Sequence, residues 1–161
     1  MARILVSACL LGNKVRYNGT DLLQDTSAFK TLQKNHDLVP LCPEVAGGLP
    51  TPRPPAEIQS GNAVSVFEGK GRVIANSGEN VTKEFVSGAE QALEVCKKQN
   101  IQYAILTESS PSCGRNKVYD GSFNGKKIPG MGLTAYLLEK NGIKVFSQFE
   151  VYELLAALPQ R

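Results

Sequence analysis

Short β-rich apolar runs alternate along this 161-residue chain with stretches of helical period, a pattern that restricts it to a mostly parallel sheet covered on both faces. Arg3–Ala8 is the first run, apolar without strict alternation, as expected of a strand buried on both sides. Leu38–Leu41, Tyr103–Thr107 and Ile143–Phe146 are the others. Between them, Thr26–Asn35 sets Phe29 and Leu32 inward, and Val81–Gln99 repeats Phe85, Ala89, Ala92, Leu93 and Cys96 along one helical face. Leu133–Lys140 and Phe149–Leu158 read as two further helices. Ala63–Phe67 and Arg72–Ala75, joined by Glu68-Gly69-Lys70-Gly71, read as a β-hairpin. The expectation is an α/β chain, a single-domain Rossmann-like three-layer fold over residues 1–161 with a mostly parallel sheet and one small hairpin. A domain of this length buries roughly 70% of its unfolded surface, so a core forms without cross-links.

Charge and hydropathy narrow the class. The net charge is +3, spread in ones and twos rather than in the basic stripe that a nucleic-acid face shows. Arg115, Lys117, Lys126 and Lys127 are the densest basic stretch and read as a solvated loop. No apolar run approaches the ~20 residues of a membrane span. Met1–Val6 reads as a first strand rather than a signal peptide. A cytoplasmic location is therefore expected, with the four cysteines starting as thiols. There is no GxxxxGK[ST] phosphate loop and no GxGxxG after a strand, so nucleotide binding of those kinds has no support. His36, the one histidine, sits in the polar stretch Lys34–Asp37 and reads as an exposed turn residue.

Two features carry chemistry. Residues 43–57 contain Pro43, Pro50, Pro52, Pro54 and Pro55 with Gly47 and Gly48, which precludes a long helix or central strand and predicts an ordered, irregular loop. The second is the placement of three cysteines. Cys9 follows the first strand, Cys42 ends the second, and Cys113 lies in the loop after the third. All three thus stand at carboxyl edges of strands, where open α/β sheets bind ligands, and parallel neighbours would bring them into one crevice. Cys96 instead lies on the apolar face of the long helix and reads as core. Three thiolates suit a zinc ion with an open position, a [4Fe–4S] cluster with one iron not bound by protein, or a catalytic thiol with resolving partners. Zinc usually takes local CxxC-type ligand pairs, which are missing here.

The segments Ser7-Ala8-Cys9-Leu10-Leu11-Gly12, Arg16-Tyr17-Asn18-Gly19, Cys42-Pro43-Glu44-Val45, Pro52-Arg53-Pro54-Pro55-Ala56-Glu57, Ser110-Pro111-Ser112-Cys113-Gly114 and Tyr119-Asp120-Gly121 resemble the DUF523 family, which includes the thiouracil desulfurases. The resemblance spans nearly the whole chain. It implies a [4Fe–4S] cluster, easily lost to oxygen, on Cys9, Cys42 and Cys113, with one iron open to the substrate's sulfur. It also implies hydrolytic removal of sulfur from a small thiolated nucleobase, 2-thiouracil giving uracil and sulfide. The competing reading is a noncatalytic carrier holding zinc or a persulfide on the same cysteines. A third, an enzyme acting on thiolated bases in RNA, sits poorly with the mild charge.

Hydrolysis needs a proton acceptor, and Glu44, two residues past Cys42 in the matching Cys-Pro-Glu, is the candidate. Ser109, Ser110 and Ser112 are candidates to donate hydrogen bonds to the base edge or to cluster sulfurs. Arg53 either clamps the pocket or pairs with a surface carboxylate. Glu108 is a candidate second acid, and Glu57 reads as a loop or helix-start residue. Gly130-Met131-Gly132 before a helix suits either an anion at the helix N-terminus or plain loop-to-helix geometry.

Overall fold

The computed structural model describes residues 2–59 and 62–159. In chain order these form β1 (Arg3–Ser7), a 3-10 turn (Ala8–Leu11), α1 (Ser27–Asn35), β2 (Asp37–Leu41), α2 (Pro43–Ala46) and β3 (Ala56–Gln59). There follow α3 (Ala63–Phe67), β4 (Arg72–Ala75), α4 (Thr82–Lys98), β5 (Tyr103–Leu106), β6 (Lys117–Tyr119) and β7 (Lys127–Pro129). The last elements are α5 (Leu133–Lys140), β8 (Lys144–Ser147) and α6 (Val151–Ala157). No helix is long and apolar enough to cross a membrane among the described residues.

The central sheet has the order β2-β1-β5-β8, with every pair parallel. Its two faces follow from the alternation of side chains along a strand. Ile4, Val6 and Ile105 pack with Phe29 and Leu32 of α1 and with Val151 and Leu154 of α6. Leu5, Ala104 and Leu106 face the opposite way, onto Ala92 and Cys96 of α4 and Ala135 and Leu138 of α5. The three-layer α/β expectation holds. So do the strands at 3–7, 37–41, 103–106 and 144–147 and the helices at 27–35, 82–98, 133–140 and 151–157, each within a few residues of the bounds read from the sequence. Helix α1 begins where predicted because the Thr26 hydroxyl accepts from the Phe29 N–H at 3.2 Å, satisfying one of the donors a helix start leaves free.

The hairpin is a correction. It exists, but β4 pairs antiparallel with β3, in the register Ala56↔Ala75 to Gln59↔Arg72, and Ala63–Phe67 is helical. A five-residue apolar run satisfies either period, and the decision lies in its flanks. Asn62 accepts from the Ser65 N–H while Ser65 Oγ accepts from the Asn62 N–H, a reciprocal cap that nucleates α3 and buries Ala63 and Val66 on one face. The proline-rich stretch is likewise not wholly irregular. Pro43 stands at the first turn of α2, where its missing N–H costs nothing, and β3 begins at Ala56. The loop expected after Cys113 contains the short antiparallel pair β6–β7.

Two glycines fix α2 against α4. A Cβ at Gly88 in α4 would overlap the Pro43 carbonyl, and one at Gly47 would overlap the Glu84 carbonyl. The two helices therefore cross backbone to backbone, and Gln91 Nε2 donates to the Ala46 carbonyl at 2.8 Å across the same contact. The role of Gly47 is this close approach rather than ligand binding.

Candidate active site

Cys9, Cys42 and Cys113 meet at the carboxyl ends of the parallel strands. Cys9 sits in the turn that continues β1, Cys42 is the residue capping α2 at the end of β2, and Cys113 lies in the loop after β5. All three line one cavity of about 380 Å³, together with Glu44, Arg53, Glu57, Ser109, Ser110 and the aromatic residues Tyr17, Tyr119 and Phe123. Cys96 is elsewhere, buried on α4, where desolvation pushes its thiol up to about 11.

Small hydroxyl residues hold the thiols. Ser7, nearly fully buried, accepts from the Thr107 N–H at 2.9 Å and donates to Cys113 Sγ at 3.4 Å. Thr107 Oγ1 lies 3.0 Å from Cys9 Sγ. The Ser110 hydroxyl accepts from the backbone N–H groups of Ser112 and Cys113, fixing the turn that presents Cys113. Burial raises all three thiols above the ordinary value. Thr107 partly offsets this at Cys9, and a negative charge on Cys42 or Glu44 raises Cys113 further. Two buried thiols and a half-buried one, with the ionisation of Cys9 and Cys113 further disfavoured by charge on the neighbouring thiols, call for a cationic partner, since metal binding is what stabilises thiolates in such a place. No three His, Cys, Asp or Glu side chains converge on a single ion-sized point among the described residues. Three soft thiols on one wall suit iron–sulfur ligation as well as zinc by their chemistry.

Glu44 projects from α2 into the same cavity. Its Oε1 pairs with Arg53 Nε at 3.1 Å, and its Oε2 accepts from Ser110 Oγ at 3.1 Å. Arg53 is buried and also donates to the carbonyls of Pro50 and Val15 and to Thr51 Oγ1, so it clamps the proline-rich loop to the carboxylate. Of the three serines, Ser109 and Ser110 line the cavity. Ser112 does not. It is fully buried, its hydroxyl 2.7 Å from Thr134 Oγ1, and its carbonyl accepts from the Thr134 N–H at the start of α5. That corrects the expectation that it faces a ligand. The small residue Gly132 matters for the same junction, because a Cβ there would lie 2.5 Å from the Ser112 carbonyl; close packing accounts for the glycine step before α5.

Glu108 is also not a free acid. Its Oε1 accepts from the backbone N–H groups of Ser109, Arg115, Asn116 and Lys117, and Oε2 from Asn116 Nδ2. Burial alone would raise this carboxyl, but the donors together outweigh it and hold it below the usual range. It is the knot of the loop that carries Cys113. His36 lies at the opposite end of β2 and accepts from the Ala2 N–H at 3.1 Å, away from the cavity. Sequence reasoning assigned no role to Ser7 and Thr107 and missed that Glu57 lines the cavity, since one small hydroxyl residue or one carboxylate carries no spacing signal of its own.

The chain is similar over residues 4–150 to the family model described as 2-thiouracil desulfurase. It is 42% identical over 152 residues to the protein YbbK of Bacillus subtilis (strain 168), covering 94% of this chain and 99% of that protein. A solved structure described as the [4Fe–4S]-dependent thiouracil desulfidase TudS superposes with a TM-score of 0.88 at 44% identity, covering 98% of this chain and 97% of the other.

Proposed function

The chain belongs to the 2-thiouracil desulfurase family, and from that premise we propose that it removes sulfur hydrolytically from thiolated nucleobases, converting 2-thiouracil to uracil and sulfide. The observation that carries the reading is the gathering of Cys9, Cys42 and Cys113, and no fourth cysteine, on the wall of one cavity. These three residues would hold a [4Fe–4S] cluster. When bound through three thiolates, such a cluster supplies an iron position open to a sulfur ligand and Lewis-acid polarisation of the bond to that sulfur.

The chain's own residues do the rest. Glu44 takes a proton from the attacking water, while Arg53 on one carboxylate oxygen and Ser110 on the other keep it from rotating. Ser109 stands on the cavity wall as the serine that can meet the polar edge of a base, while the Ser110 hydroxyl is committed to Glu44 and to the turn before Cys113. Pro43, Pro55 and Pro111 contribute rigid apolar surface to the same cavity wall. The bond broken is carbon to sulfur, the bond formed is carbon to a water oxygen, and no net electrons are transferred.

The burial of Cys9 and Cys113, 7% and 5% exposed, weighs against a carrier that would hand zinc or a persulfide to a partner, because exchange needs thiols at the surface. The test is turnover of 2-thiouracil by anaerobically reconstituted protein in ¹⁸O-water. Uracil carrying one ¹⁸O, with one sulfide released and no external reductant, is the expected result; a reductant requirement would remove the hydrolytic step.

A further inference from the structure

Three aromatic residues line the cavity, Tyr17, Tyr119 and Phe123, and one of them is placed at evident conformational cost. Phe123 is one of three non-glycine residues with positive φ among the described residues, at +60°, a conformation that bulky side chains rarely adopt. It is only half-buried and packs into none of the three hydrophobic clusters of the core. Packing therefore does not account for its position, but the cavity does, since Phe123 lines it beside Tyr17 and Tyr119.

The segment bearing Phe123 is latched to β3. Glu57, 8% exposed, accepts through Oε1 from the N–H groups of Gly121 at 2.9 Å and Phe123 at 3.3 Å. Gln59 Nε2 donates to the Gly121 carbonyl at 2.9 Å. Gly121 itself has φ +94°, and a Cβ there would lie 2.7 Å from the Ile58 carbonyl, so the chain runs against the strand as closely as backbone allows. A buried carboxylate is costly unless its hydrogen bonds are made, and this one is made entirely by the segment that positions an aromatic ring. Strain held in place by such over-determination marks a functional position.

We propose that Phe123, held by Glu57, lies against the flat face of the substrate ring and makes the site selective for ring thiocarbonyls over acyclic ones; this rests on the desulfurase reading above. Glu57 acts through Phe123 and is a positioning residue. The test uses reconstituted protein with its iron content measured for each variant, titrated calorimetrically with uracil and assayed on 2-thiouracil, with thiourea as an inhibitor that has the thiocarbonyl but no ring. Phe123→Leu keeps apolar bulk and is expected to weaken uracil binding and raise KM for 2-thiouracil about ten-fold, the scale on which losing one stacking partner weakens base binding. kcat and thiourea inhibition should be largely retained, Phe123→Tyr should recover most of the affinity, and Glu57→Ala should raise KM in the same sense. Uracil affinity unchanged in Phe123→Leu, or thiourea weakened as much as uracil, overturns the assignment while leaving the desulfurase reading intact. Iron-loaded wild-type protein that neither binds uracil nor turns over 2-thiouracil overturns both.

Discussion

Gly88→Ala is the substitution for which local and tertiary physics predict opposite signs. Gly88 is interior to the 17-residue helix α4, where alanine is favoured over glycine by about 1 kcal/mol. On propensity alone the variant is stabilised. The structure says otherwise, because the added methyl overlaps the Pro43 carbonyl oxygen and lies 2.8 Å from its carbonyl carbon. Carbon atoms pack best at ~3.5–4.0 Å, so α2 must retreat by roughly 1 Å. The obstacle is backbone, which cannot rotate away, and overpacking of this kind costs typically ~1–3 kcal/mol. The expected net is a loss of up to about 2 kcal/mol, or as much as roughly 8 °C in Tm for a domain of this size. The site should suffer more than the fold. Helix α2 carries Cys42 at its start and Glu44 in its first turn, and a ~1 Å misplacement can cost on the order of 10²-fold in rate. Urea and thermal unfolding of the apoprotein, with iron content and turnover after reconstitution, measure both effects. Glu90→Ala, on the exposed side of the same helix, serves as the control and should stay within ~0.5 kcal/mol of wild type. A Gly88→Ala protein that is more stable than wild type and loads iron normally would refute the reasoning.

Three further outcomes are expected. Glu44→Gln should retain iron but lose turnover by about 10²–10⁴-fold if Glu44 takes the proton, and wild-type activity would remove it from that role. The Glu108 carboxyl is lowered on folding, so its contribution to stability is present above the ordinary carboxylate range and is lost as pH falls through its folded value. Glu108→Gln should accordingly be less stable than wild type near neutral pH, by about 1 kcal/mol given its partial exposure, with the gap in urea midpoint closing in acid; a gap independent of pH would contradict this. Asn62→Ala should cost about 1 kcal/mol through the lost cap of α3 while leaving iron content unchanged, as chemical denaturation and an iron assay would show.

How much of this was readable in the sequence depended on the range of the interaction involved. The parallel sheet was legible because buried strands and amphipathic helices carry their periods in consecutive residues. The convergence of Cys9, Cys42 and Cys113 was legible because each stands at the carboxyl end of such a strand, and the topology of an α/β sheet brings those ends together. Ala63–Phe67 was misread because five apolar residues do not distinguish the two periods, and the Asn62–Ser65 cap that decides between them is a matter of two side chains. Ser112 was grouped with its neighbours although the turn held by Ser110 directs it inward to Thr134. The Glu44–Arg53–Ser110 contacts and the Glu57 latch join residues up to 66 positions apart. Neither has a local signature, so only the folded chain reveals them.

The central claim, that three particular cysteines and not the fourth hold a cluster, is tested most directly by iron and acid-labile sulfide content after anaerobic reconstitution of wild type, Cys9→Ser, Cys42→Ser, Cys113→Ser and Cys96→Ala. The account predicts about four irons and four sulfides per chain in wild type and in Cys96→Ala, with loss of both in each of the other three. A wild-type protein that binds a single zinc in place of iron, or a Cys96→Ala protein that loses its iron as the others do, would contradict it.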